Sequence, residues 1–221
     1  MAQNTSQHRA AFQAVPVATT WLLSGSRAIL ALLGGLFITF SFSITSIALA
    51  LIVFGSYTVL YGLAILLWFP KVQDRAVKNA SLIIAVTNIA AGAVGLIFIQ
   101  SETISTFLLL VTIWAAITGF AELYLGFAKK GKFAEHRDWL FAGAMSCFLA
   151  LGMLLIDPNY RKDYLVPGGS AAPDYAGTVT GSLFGIGVFG VYLIVIGVFL
   201  FIGAYSLRNP ELDTAAEGNG N

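Results

Sequence analysis

Apolar residues dominate this chain in six long runs, and the polar residues gather between them. From Ala28 to Pro70 there is no charged side chain. One helix of that length would measure about 64 Å, roughly twice the hydrocarbon thickness of a membrane. The run must therefore turn, and the polar interruption Ser41-Phe42-Ser43 is where we place the turn. The whole pattern predicts an all-α integral membrane protein with six transmembrane helices, at about 21–40, 44–69, 81–100, 104–129, 139–156 and 179–207.

Polar segments flank and interrupt this transmembrane domain, which spans residues 21–208. Residues 1–20 are predicted to form a polar cytoplasmic tail, and residues 209–221 a disordered cytoplasmic tail. Between the fifth and sixth spans, the segment 157–178 contains three prolines and a Gly-Gly pair. Because these residues cannot continue either helix, we expect an irregular and exposed loop there.

Lys and Arg are distributed unevenly between the two sides of the predicted bundle. The side that would hold both termini carries nine of the twelve: Arg9, Lys71, Arg75, Lys78, Lys129, Lys130, Lys132, Arg137 and Arg208. The opposite side carries only Arg161 and Lys162, and Arg27 lies within a span. Under the positive-inside rule, this asymmetry predicts that both termini are cytoplasmic.

Composition supports a membrane protein and argues against several other classes. The chain is 57% hydrophobic and 10% charged, with a mean hydropathy of +0.82. Its formal net charge of +1 argues against a nucleic-acid partner. The single cysteine, Cys147, excludes an internal disulfide or a cysteine metal cluster. The sequence contains no phosphate-binding loop, metal-ligand spacing or nucleophile elbow, so we expect no metal, no cofactor and no enzymatic activity.

Three strongly polar residues lie inside the predicted spans: Arg27, Asn88 and Glu122. Each shares a helical face with small residues, and each lies roughly 10 Å from the cytoplasmic end of the bundle at 1.5 Å per residue. We therefore predict an intramembrane polar cluster, in which an Arg–Glu pair is bridged by the amide. Three interpretations stay open: a lock that fixes helix register, a proton or ion relay, or an arginine that snorkels to the headgroups.

An internal repeat is indicated by aromatic residues that stand five positions before a glycine in every even span. The pairs are Tyr57 with Gly62, Trp114 with Gly119 and Tyr192 with Gly197. Because each repeat would contain two spans, the pattern predicts three parallel two-helix hairpin repeats. The three glycines, together with Gly181 and Gly185 at the start of the sixth span, are candidate helix-packing positions.

The runs LLLVTIWAAITGFAELYLGFAKK and EHRDWLFAGAMSCFLALGMLLIDP, within this six-helix pattern, resemble the HdeD-type family of bacterial acid-resistance membrane proteins. The resemblance is best over residues 104–158 and extends over 21–69 and 180–208. It implies a multi-pass protein of the bacterial inner membrane that is linked to acid or general stress and has no established enzymatic chemistry.

The residues alone leave a second function open, a small-solute or proton-coupled transporter or channel that uses the Arg27, Asn88 and Glu122 cluster. The outer halves of the spans carry only scattered uncharged polar residues, which favours the first interpretation. The expected partner is the lipid bilayer. A homo-oligomer and a periplasmic partner bound through the 157–178 loop are both compatible with the sequence.

Overall fold

Six α-helices form most of the computed structural model, which describes residues 17–41, 46–68, 70, 72, 74–101, 103–130, 136–168 and 175–208. The helices are α1 (Val17–Phe40), α2 (Ile47–Trp68), α3 (Arg75–Ile97), α4 (Ile104–Ala128), α5 (His136–Leu155) and α6 (Gly181–Arg208). All six contain a stretch long and apolar enough to cross a membrane. The prediction of a mainly helical chain with six candidate membrane spans is therefore confirmed.

Helix boundaries differ from the predicted ones most clearly at α3, which begins at Arg75 instead of residue 81. Asp74 caps the helix, because its Oδ1 accepts hydrogen bonds from the backbone N–H groups of Ala76 and Val77, both at 3.0 Å. At the other edge of the domain, α1 includes residues 17–20, which the sequence placed in the tail. The remaining tail residues, 1–16 and 209–221, lie outside the described residues.

The helices are arranged as an inner triangle surrounded by three outer helices. Helices α2, α4 and α6 contact one another, and each outer helix packs between two of them: α1 between α6 and α2, α3 between α2 and α4, and α5 between α4 and α6. The closest pairs are α1 with α6, α2 with α3 and α4 with α5. Because the first helix packs closely on the last, the ring of helices is closed.

Glycines allow the close approach within each of these three pairs. A Cβ atom added to the glycine would meet a backbone carbonyl of the partner helix in all three: Gly62 at 2.9 Å from Ala85 O, Gly119 at 3.0 Å from Gly143 O, and Gly197 at 3.1 Å from Ala28 O. These three glycines therefore lie where the sequence analysis expected helix-packing positions.

The other two candidate glycines behave differently from each other. Gly185 faces α4, where an added Cβ would lie 2.7 Å from Leu108 Cδ2. Gly181 meets no neighbouring helix in this way: its nearest atom is Asp157 O, and its N–H donates to Tyr160 O at 2.9 Å. Gly181 thus shapes the start of α6 instead of a helix–helix contact.

The segment between α5 and α6 contains an antiparallel β-hairpin, so the prediction of an irregular loop is wrong. Strand β1 (Arg161–Val166) pairs with β2 (Tyr175–Thr180), and the register matches Arg161 with Thr180. In the sequence, Pro167, Pro173 and the Gly-Gly pair fall after β1 and before β2, and Pro158 precedes β1, so none of them interrupts the strand ladder. The side chains of 161–165 are exposed, as expected for this segment.

The bundle thus has two distinct ends. We name the end where α2 is followed by α3, and α4 by α5, the basic end. The opposite end, which carries the β1–β2 pair, is named the hairpin end.

Candidate functional site

Arg27 and Glu122 form a direct ion pair between α1 and α4. Both side chains are buried, with 5% and 2% of the residue surface exposed. A lone charge at such a position is costly, whereas each of these side chains partly neutralises the other. The pair therefore ties α1 to α4, and the alternative in which Arg27 reaches the headgroups does not describe this structure.

Tyr61 on α2 is the third member of the site, and the sequence analysis missed it. Arg27 Nη1 donates to Tyr61 OH at 3.3 Å, and the guanidinium carbon lies 4.6 Å from the centre of the tyrosine ring. The contact combines a hydrogen bond with a cation–π interaction. Its sequence signal was available, because Tyr61 lies one helical turn beyond Tyr57 on the same face.

Asn88 does not bridge the ion pair, contrary to the cluster predicted from the sequence. Its Nδ2 donates to Ile84 O at 2.8 Å, and its Oδ1 accepts from Trp114 Nε1 at 3.1 Å. A buried indole N–H requires an acceptor, and Asn88 supplies it from α3. Asn88 is therefore committed to holding Trp114 at the centre of the bundle.

A cavity of about 100 Å³ opens beside the ion pair at the basic end. Arg27 and Glu122 line it together with other side chains near this end of the bundle, among them Ser24, Trp68, Ser81, Asp138 and Trp139. Drug-sized ligands need pockets of about 300 Å³ or more, so this cavity has room only for several waters or a small molecule.

Three buried polar atoms have no hydrogen-bond partner among the described residues: Arg27 Nε, Glu122 Oε2 and Tyr57 OH. Two of them belong to the ion pair that lines the cavity. Because buried polar groups are nearly always hydrogen-bonded, these atoms mark a place where the described residues leave polar groups unsatisfied. The ion pair therefore retains one donor and one acceptor for further interactions.

Towards the hairpin end, the interior changes from polar to aromatic. The ring of Trp114 meets the edges or faces of Phe54 and Tyr192 at centroid distances of 5.4 and 6.2 Å. Phe189 makes similar contacts with Phe54 at 5.8 Å and with Phe107 at 5.7 Å. The three phenylalanines are completely buried. Packed rings, held by edge-to-face contacts, therefore fill the centre of this half.

A second ion pair lies at the rim of the basic end, between Lys129 Nζ and Asp74 Oδ2 at 2.6 Å. The hydrogen bond from Lys129 lowers the pKa of Asp74 below its ordinary value, and the capping N–H groups of Val77 and Ala76 lower it further. This pair joins the end of α4 to the beginning of α3, next to the cavity wall.

The six helices have the length and apolarity expected of a multi-pass membrane protein. Among the described residues, the interior of the bundle holds one buried ion pair. No family model, curated protein or solved structure matches the chain. The assignment of function therefore rests on the residues and their geometry.

Proposed function

We propose that this chain is a non-enzymatic, multi-pass protein of the bacterial inner membrane that serves in the response to acid or general stress. The observation that carries the non-transporting role is the aromatic core formed by Phe54, Phe107, Trp114 and Phe189. A solute or proton path needs polar groups or water across the whole bilayer, and packed rings provide neither. The link to stress rests on the resemblance to the HdeD-type family.

The proposal includes an orientation with both termini in the cytoplasm, so that the basic end faces the cytoplasm. This is supported by the excess of Lys and Arg at that end. The hairpin end then faces the periplasm, and its exposed residues 161–165 are the surface we assign to a periplasmic partner.

We also propose that the bundle consists of three parallel two-helix hairpin repeats. Support comes from the recurring contacts between inner and outer helices. On two of the three inner helices, the aromatic residue of the repeat forms a hydrogen bond with the outer helix that precedes it in the chain. Trp114 Nε1 donates to Asn88 Oδ1 at 3.1 Å, and Tyr192 OH lies 2.9 Å from Ser146 Oγ. The inner helices approach their outer partners most closely at Gly119 and at the equivalent glycines, Gly62 and Gly197.

Flux measurements on purified protein test the non-transporting role. Liposomes that contain the protein and a pH-sensitive dye should acidify no faster than protein-free liposomes under an imposed pH gradient. A Glu122→Gln variant provides the matched control for any residual signal. Proton or solute flux that this substitution abolishes, in a variant that stays folded, would overturn the proposal.

Survival measurements test the stress role separately. A strain that lacks the gene should lose viability at low pH or under another envelope stress, and the intact gene should restore it. Restoration by a variant without residues 161–180 would argue against the hairpin as the partner surface, whereas equal survival of all strains would contradict the stress role.

The cavity at the basic end favours one alternative function, a small-solute or proton-coupled transporter. It reaches Arg27 and Glu122 from one side, as the entry half of an alternating-access site would. This alternative requires a second conformation in which the aromatic core separates.

A further inference from the structure

We propose that the cavity at the basic end binds a small neutral molecule that carries a hydrogen-bond acceptor and a donor side by side, as a primary carboxamide does. The inference goes beyond the proposed function, because a non-transporting protein and a transporter could each contain such a site. It rests on two unsatisfied atoms of the ion pair, on their opposite hydrogen-bonding character and on the apolar walls of the cavity.

The contact between Arg27 and Glu122 uses only part of each side chain. Arg27 Nη1 donates to Glu122 Oε1 and to Tyr61 OH. Arg27 Nε and Glu122 Oε2 have no hydrogen-bond partner among the described residues, although both side chains are more than nine-tenths buried and line the cavity. The pair therefore leaves one donor and one acceptor for a ligand, and each of these is costly to bury unsatisfied.

Covalent geometry keeps these two atoms near each other. Arg27 Nε is attached to the same guanidinium carbon as Nη1, and Glu122 Oε2 to the same carboxylate carbon as Oε1, so each lies two covalent bonds from the direct contact. A carboxamide likewise carries its carbonyl oxygen and its N–H group on one carbon atom. Its oxygen can accept from Arg27 Nε while its N–H donates to Glu122 Oε2, so one small molecule can satisfy both atoms.

The ion pair favours a neutral ligand over a charged one. An anion would be attracted by Arg27 and repelled by Glu122, and a cation would experience the reverse, so neither gains much from the pair. A charged ligand would also lose its hydration on entering the bundle, whereas a neutral dipole loses far less. Asp138, the third charged residue of the lining, already has an interaction of its own.

The walls and the size of the cavity limit the rest of the molecule. Ile65, Ile84 and Leu125 line it beside Trp68 and Trp139. The three aliphatic side chains offer water no hydrogen bond, so they favour an apolar group attached to the amide. The volume of about 100 Å³ restricts the ligand to a few non-hydrogen atoms. Acetamide, which joins a methyl group to a primary amide, is therefore a suitable probe.

Four molecules of nearly the same shape test the site: acetamide, acetone, acetate and acetamidinium. Their binding to the purified full-length protein in lipid nanodiscs is measured by ligand-observed NMR at constant ionic strength. Acetamide should bind saturably. Acetone has the carbonyl oxygen but no donor, so it should bind at least about tenfold more weakly, because Glu122 Oε2 stays unpaired. Acetate and acetamidinium should also bind at least about tenfold more weakly than acetamide, because each carries a charge.

A cavity-filling variant shows where acetamide binds. Ser81→Leu places a larger side chain in the cavity lining without replacing either member of the ion pair, and it should weaken acetamide binding by about tenfold or more. Ser105→Leu is the matched control, because Ser105 is an exposed residue of α4 outside the cavity lining. Its affinity for acetamide should equal that of the unmodified protein.

Absence of saturable acetamide binding would overturn the proposal. So would an affinity for acetone, acetate or acetamidinium equal to that for acetamide. An unchanged affinity in a folded Ser81→Leu variant would place the binding outside the cavity and would overturn it as well. If that variant fails to fold, the comparison of the four probes on the unmodified protein still decides.

Discussion

The two halves of the bundle interior are built from different chemistry. At the basic end, Arg27, Glu122 and Tyr61 meet beside a cavity, and two atoms of the ion pair lack hydrogen-bond partners among the described residues. At the hairpin end, the corresponding space is filled by completely buried rings such as Phe107 and Phe189. The same inner helices line both halves, so the difference arises from side chains and not from a change of fold.

We expect this difference to determine from which end of the bundle the buried charge can be reached. The cavity beside Glu122 lies at the basic end, while the aromatic half offers packed apolar groups. Stability should also depend on different interactions in the two halves. Charge compensation matters at the basic end, and close packing matters at the hairpin end.

The largest loss of stability is expected when the ion pair is broken. Glu122→Gln and Arg27→Gln should each lower the free energy of unfolding by about 3–5 kcal/mol, because each leaves one charge buried without its partner. The double variant should lose clearly less than the sum of the two, because no lone charge then remains. Denaturant titration of the protein in detergent measures all four members of this cycle.

Simple addition of the two losses would show that Arg27 and Glu122 are not coupled in the folded protein. The polar half would then need a different explanation for two charges inside the membrane span. Glu102 lies in the sequence between the predicted third and fourth spans, and Glu102→Gln is the carboxylate control with little expected effect.

In the aromatic half, Phe189→Ala should cost about 3 kcal/mol, because it removes the edge-to-face contacts with Phe54 and Phe107 and leaves a void. Phe201 is the matched control on the same helix, since half of its surface is exposed. Its replacement by alanine should change stability by much less. Equal losses for the two variants would contradict a tightly packed core at the hairpin end.

Much of the fold can be predicted from the sequence, and so can two of the three members of the site, Arg27 and Glu122. Six apolar runs predict six helices, because a buried or lipid-facing backbone has to satisfy its own hydrogen bonds. The small residues around Glu122 predict that it faces protein, and matching depth predicts Arg27 as its partner. Both inferences use only helical periodicity and the cost of an unpaired charge.

Other features depend on information that periodicity does not contain. Asn88 could pair with a charge or with an indole, and only the packing of α3 against α4 assigns it to Trp114. The cavity arises between several helix ends, so no local pattern marks it. The β-hairpin was missed because the prolines and the Gly-Gly pair suggested a loop, although Pro167, Pro173 and the glycine pair fall between the two strands and Pro158 lies before the first.

The smallest effect on stability is expected at the rim of the basic end. Asp74→Ala should cost about 1 kcal/mol through loss of the α3 cap, whereas Asp74→Asn keeps the cap and should lose less. Because the pKa of Asp74 is lower in the folded protein, its contribution is present at neutral pH. It declines as the pH falls below the ordinary value of 3.8. Thermal unfolding at several pH values measures this, and a contribution that grows on acidification would contradict the Lys129 contact.

The one-sided access to the buried charge is tested most directly by cysteine labelling. Two single-cysteine variants are made in a Cys147→Ser background: Ser24→Cys in the cavity lining and Lys162→Cys on the exposed hairpin. A membrane-impermeant thiol reagent is applied to intact cells and to inverted membrane vesicles. Position 24 should react only in the vesicles and position 162 only in the cells. Reaction of both positions from the same side would contradict the account, because the cavity would then be open towards the hairpin end.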